Sequence, residues 1–113
     1  MTPVLVALGA AVGAPLRYWL ALRLDGDGFP WGILLANVLG SSLLGLLVGV
    51  GTDGRALALL GVGFCGAFTT YSTFAAQTVG LGTRRGTAYA VATLAGSLAG
   101  CALGYVVGAW AQA

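Results

Sequence analysis

The sequence has 113 residues, 58% of them hydrophobic and 7% charged, and its five Arg and three Asp leave a net charge of +2. A water-soluble domain carries about a quarter charged residues, so this chain cannot solvate an aqueous surface, and so small a basic excess with no basic stripe excludes nucleic-acid binding. The length suits one domain, residues 1–113, and the solvent that suits it is lipid, where apolar runs of roughly 20 residues satisfy their own backbone hydrogen bonds as helices.

The charges mark where the runs end. The first predicted helix covers about Pro3 to Leu22. It has no basic stretch ahead of its apolar core and further spans follow it, which argues against a cleaved signal peptide. Arg17 is the one charge inside an apolar run, about a turn and a half from the helix end. Either its guanidinium snorkels to the interface or it attracts anions at a vestibule.

A turn-rich linker, Asp25-Gly-Asp-Gly-Phe-Pro30, leads to the second predicted helix, Trp31 to Gly51. This helix carries Asn37, with Ser41 one turn on and Ser42 beside it. A buried Asn in a membrane helix either glues helices together or turns its NH₂ to an anion.

After the tight Thr52-Asp-Gly54, the third predicted helix runs from Arg55 to Gly82. Gly61, Gly63 and Gly66 precede five consecutive hydroxyl residues, Thr69 to Thr73, at the middle of the run and therefore of the membrane. Glycine and β-branched residues both weaken a helix, so a break is predicted here. Irregular backbone at that depth is tolerated only in protein or beside a polar cavity, and it frees carbonyls that can bind an ion.

Thr83-Arg-Arg-Gly86 then links to a fourth helix, Gly86 to Trp110, in which Gly96, Gly100, Gly104 and Gly108 recur every four positions. Gly9 with Gly13, and Gly45 with Gly49, repeat the spacing, which lets helix backbones approach closely either within one chain or across a dimer interface. Thr93 and Ser97 lie one turn apart on a face that can meet Asn37. Cys65 and Cys101 both fall inside spans, where packing is expected rather than a disulfide or a metal-thiolate site. The short links predict sequential helices as antiparallel neighbours in an up-down bundle.

Three stretches in this order resemble the signatures of the Fluc/CrcB fluoride channels: Gly13-Ala-Pro-Leu-Arg17-Tyr18, Leu35-Ala-Asn37-Val-Leu-Gly40-Ser41, and Gly63-Phe-Cys-Gly66-Ala-Phe-Thr69-Thr70-Tyr71-Ser72-Thr73-Phe74. The resemblance implies an all-α, multi-pass protein of a prokaryotic cell membrane. Its four helices, the third broken near its middle, assemble as an antiparallel, dual-topology dimer. The implied activity is passive fluoride export that lowers cytoplasmic fluoride toxicity, with no enzymatic step. The resemblance further implies a structural, untransported Na⁺ at the dimer centre on the carbonyls of Gly66 and Thr69. The implied fluoride pathway passes the amide of Asn37, the aromatics Tyr71 and Phe74, and the polar Ser72, Thr73 and Ser97, with Thr93 less firmly aligned. The family commonly has Phe where Tyr71 stands, and some relatives carry an acid where Ala75-Ala76-Gln77 has none.

The main alternative is a small multidrug exporter, also of four spans and dimeric. It needs a membrane-embedded acid in its first helix, where this chain has only Arg17. The spans hold no Asp, Glu, His or Lys, which also disfavours a fluoride–proton antiporter. A scaffold subunit would account for the glycine ridges but not for the hydroxyl cluster. Orientation is biased: Arg23, Arg84 and Arg85, with Arg17 close by, face Arg55 on the opposite side, so both termini are favoured outside. A dual-topology homodimer is the main expectation, and a heterodimer with an oppositely oriented homologous chain is the alternative.

Overall fold

A computed structural model describes residues 2–26 and 28–112, so the linker acid Asp27 lies outside the described residues. Its secondary structure is helical: α1 (Thr2–Leu24), α2 (Trp31–Gly49), α3 (Gly54–Ala56), a π-helical segment (Leu57–Cys65), α4 (Gly66–Phe68), α5 (Ser72–Gly80) and α6 (Gly82–Gln112). Four stretches, Thr2–Leu24, Trp31–Gly49, Gly54–Gly80 and Gly82–Gln112, are long and apolar enough to cross a membrane. Large apolar side chains point outward along them, among them Val12, Leu16, Leu98 and Leu103, as lipid-facing surfaces require.

Sequential spans touch, as the short links predict, but the heaviest packing lies elsewhere. The most extensive packing joins α2 to α6 and α1 to the π segment, while α1 and α2 touch less. The glycines are the reason. A Cβ built at Gly9 would strike the backbone of Leu59, Gly63 and Phe64, and one at Gly13 the backbone of Phe64 and Phe68. On the other pair, a Cβ at Gly45 would strike the Cys101 carbonyl, and one at Gly104 the backbone of Ser42 and Leu46. In each pair the residue numbers rise together, so both tight pairs are parallel. Close approach at the repeated glycines thus favours partners two spans apart within one chain, while Gly32 against Leu20 and Gly86 against Thr78 bring sequential spans together near their ends.

Gly45→Ala is accordingly expected to push α2 off α6 and destabilise the fold by roughly 1–3 kcal/mol. At Gly80, where an added Cβ meets nothing within 4 Å, the same change should be close to neutral. Thermal unfolding of the two variants in detergent checks the contrast.

The fourth span begins at Gly82, not Gly86. Gly82 adopts φ +83, a conformation that costs glycine little, and the chain reverses there instead of over Thr83 to Gly86. Arg84 and Arg85 are therefore in the first turn of a helix. At 31 residues and about 1.5 Å per residue, α6 exceeds the hydrocarbon thickness of about 30 Å, which leaves this turn at headgroup level. The nine π-helical residues around Gly61 and Gly63 were not expected from the sequence. Such wide turns are rare and accompany functional sites, and here they carry the chain up to the hydroxyl cluster.

Candidate functional site

Between α4 and α5 the helix is interrupted over Thr69, Thr70 and Tyr71: Thr69 still donates its N–H to the Cys65 carbonyl at 3.0 Å but is extended at φ −87, ψ 160, and the Thr70 N–H leaves the helical pattern. Such backbone at membrane depth must find partners. Asn37 supplies two: its Nδ2 donates to the Thr70 carbonyl at 3.1 Å, and the Thr70 N–H donates to its Oδ1 at 2.8 Å. Two of the hydroxyls also serve the backbone. Thr69 Oγ1 donates to the Cys65 carbonyl at 2.8 Å, and Thr70 Oγ1 accepts from the Thr73 N–H at 3.3 Å, opening α5 as a cap does. Asn37 is thus a clasp on the third span, and one of its two amide protons remains for another partner.

Asn37, Ser41, Thr69, Thr70, Tyr71, Phe74, Thr93, Leu94 and Ser97 line one cavity of about 210 Å³. The hydroxyl oxygens of Thr93 and Ser97 are fully enclosed and have no hydrogen-bond partner among the described residues. Phe74 is buried and Tyr71 is 79% exposed, their ring centroids 6.2 Å apart. Thr73 is half-buried and Ser72 exposed, and neither lines this cavity. The chain therefore brings together Asn37, Tyr71, Phe74, Thr93 and Ser97, and leaves Ser72 on an open face.

Arg17 turns inward, its Nη1 donating to the Thr69 carbonyl at 3.2 Å instead of reaching for the headgroups. The guanidinium reaches the same interruption that Asn37 clasps. As for the implied Na⁺, the described residues hold no cluster of three or more His, Cys, Asp or Glu, so carbonyl oxygens are the available donors. The Thr70 N–H, which would serve the Gly66 carbonyl in a continuous helix, goes to Asn37. Gly66 itself is exposed, with open space where a Cβ would be. Its carbonyl suits a cation approached from the open face. The Thr69 carbonyl fits with one lone pair, the other being taken by Arg17.

One residue that the sequence did not single out sits against this site. Tyr89, fully buried one turn before Thr93, packs tilted against Phe74 with ring centroids 5.3 Å apart and donates to Gln77 Oε1 at 2.8 Å. The four-residue spacing Tyr89, Thr93, Ser97 is the signal that could have found Tyr89.

Residues 4–109 match the family described as CrcB-like protein, Camphor Resistance (CrcB). The chain is 46% identical over 110 residues to a Rhodococcus jostii protein named fluoride-specific ion channel FluC 2, covering 93% of this chain and 96% of the relative. It is 44% identical over 106 residues to a Haloarcula marismortui protein of the same name (94% and 88% covered). A Bordetella pertussis protein named fluoride-specific ion channel FluC is 44% identical over 108 residues (88% and 84% covered).

Proposed function

The chain belongs to the CrcB family, a multi-pass protein of the cell membrane, and on that premise we propose that it is a passive fluoride channel working as a dimer. One observation carries the reading. The cavity beside the third span encloses the Thr93 and Ser97 hydroxyls without partners, next to the Phe74 ring. A buried, unsatisfied hydroxyl costs about 1–3 kcal/mol, a cost that a passing anion or its water removes.

Fluoride is small and strongly hydrated, so a pore must offer donors in place of water without holding the ion too tightly. The free amide proton of Asn37 and the two hydroxyls offer hydrogen bonds. The positive edge of the Phe74 ring, with that of Tyr71, adds weaker attraction through the quadrupole. Ser72 and Thr73 serve the pathway only from the open face. The half-buried Arg17 guanidinium contributes positive potential at the same depth. The relatives are named as ion channels, not enzymes.

The spans hold no Asp, Glu, His or Lys, so nothing in them couples fluoride to protons or holds a cationic drug. Vesicles loaded with fluoride at equal internal and external pH should therefore release it down its own gradient. Release that requires a pH difference would replace the channel with an antiporter.

The dimer is supported by what the single chain leaves open. Gly66, Tyr71 and Ser72 are exposed at mid-span, where polar backbone cannot face lipid, and a second copy is the natural cover. An antiparallel homodimer is favoured, with an oppositely oriented homologous chain as the alternative partner. With Arg17 turned to Thr69, the orienting charges are Arg23, Arg84 and Arg85 against Arg55, a bias weak enough for insertion both ways.

In that dimer the carbonyls of Gly66 and Thr69 from both copies would hold a structural Na⁺, which supplies fixed positive potential at the centre. Prolonged exchange of Na⁺ for a large organic cation should inactivate the channel, and Na⁺ should restore it. Undiminished flux after exhaustive removal would argue against the ion.

A further inference from the structure

The geometry points to Gly40 as a positioning residue for the ion pathway: the notch it leaves on α2 seats the methyl group of Thr69, and this seat holds the interrupted stretch of the third span against Asn37 and the cavity. The inference rests on the fluoride reading of the cavity given above.

Two positions on α2 meet two consecutive residues of the interruption. Asn37 closes on both backbone groups of Thr70. Gly40, three residues on and therefore on the same helix face, is buried. A Cβ built there would strike Cγ2 of Thr69 and lie 3.4 Å from Cδ2 of Phe68. The amide and the notch thus form one surface, the first holding Thr70 by hydrogen bonds and the second holding Thr69 by shape.

Thr69 has little freedom to yield. Its Oγ1 donates to the Cys65 carbonyl at 2.8 Å, which selects the rotamer that aims the methyl at Gly40, and any other staggered rotamer gives up that hydrogen bond. Its N–H donates to the same carbonyl at 3.0 Å, and its own carbonyl accepts from Arg17. Phe68 is buried and stacked on Phe64 with ring centroids 5.4 Å apart. Nor is α2 free to shift, because its Gly45 already lies against the Cys101 carbonyl of α6. A side chain at position 40 is therefore accommodated by parting α2 from the interruption, so that Thr70 leaves Asn37, or by turning the Thr69 hydroxyl off Cys65. Asn37, Thr69 and Thr70 all line the cavity, so either change reshapes it. Threonine suits position 69 because both of its branches are used, the hydroxyl on its own span and the methyl on α2.

An exchange of one methyl tests this. Gly40→Ala should lower fluoride flux per folded protein about tenfold in vesicles. Thr69→Ser keeps the hydroxyl and the carbonyl and drops the methyl that the new Cβ would meet. Alone it should cost about two- to threefold, and combined with Gly40→Ala it should bring flux back to within about threefold of the native chain. Thermal unfolding of the same preparations should show the same recovery, and Thr69→Ser should not rescue Gly45→Ala, whose added Cβ meets α6 instead. Near-native flux from folded Gly40→Ala would reduce Gly40 to packing alone and overturn the inference, as would a double variant no better than Gly40→Ala. Should Gly40→Ala fail to fold, the double variant decides: restored fold and flux support the seat, and loss of both refutes it. Absence of fluoride flux from the native chain would count against the channel reading, while recovery of the unfolding temperature in the double variant would still decide whether Gly40 seats the methyl.

Discussion

Replacing Asn37 by Ala should reduce fluoride flux about a hundredfold or more and lower stability by roughly 2–4 kcal/mol. From the sequence, Asn37 reads as helix glue or as an anion donor. The structure makes it a clasp, because both backbone groups of Thr70 close on its amide. Truncation leaves an N–H and a carbonyl unpaired at a depth where water cannot replace them, and it also removes the spare amide proton. The two losses can be told apart with Asn37→Asp. Neutral at this depth, its carboxylic acid accepts from the Thr70 N–H and spends its single proton on the Thr70 carbonyl, leaving none for an anion, so flux should stay lost while part of the stability returns. Flux near the native level in Asn37→Ala would remove Asn37 from the pathway.

Phe74→Ile should cost at least about tenfold in flux with a smaller loss of stability, about 0.5–1.5 kcal/mol for the broken aromatic contact with Tyr89. The substituted side chain is apolar and comparable in bulk, so the cavity stays filled. What it lacks is the ring edge, the only positive feature an apolar side chain can offer an anion. Phe74 is the buried member of its pair with Tyr71, and its ring lies between Tyr71 and Tyr89. Flux and thermal unfolding measured on the same preparation separate the two effects, and unchanged flux would show that the ring is packing alone.

The spans were legible because lipid imposes a length and a composition that eight charged residues punctuate. The hydroxyl run Thr69 to Thr73 announced itself by its depth, and Asn37, Thr93 and Ser97 by being polar in apolar helices. Helix partners were not legible in the same way. Loop length argues for sequential neighbours, and Gly32 and Gly86 do meet the preceding span, yet most glycines that accept a facing backbone join α1 to the π segment and α2 to α6. Nor could the use of each hydroxyl be read, because Thr69 and Thr70 turn theirs to the backbone while Thr93 and Ser97 keep theirs enclosed. The inward turn of Arg17 depends on a carbonyl 52 residues away, and the hydrogen bonds from Tyr89 to Gln77 and from Gln77 to Asp25 join two helices to a linker. Long-range pairings of this kind leave no periodicity in a sequence.

Simultaneous efflux of fluoride and chloride from vesicles that contain only this protein, loaded with both anions at equal pH and with Na⁺ on both sides, tests the central claim most directly. Fast release of fluoride with chloride retained is the result predicted from a cavity of about 210 Å³ with a few hydroxyl and amide donors. Equal release of both anions, or release of neither, would contradict it.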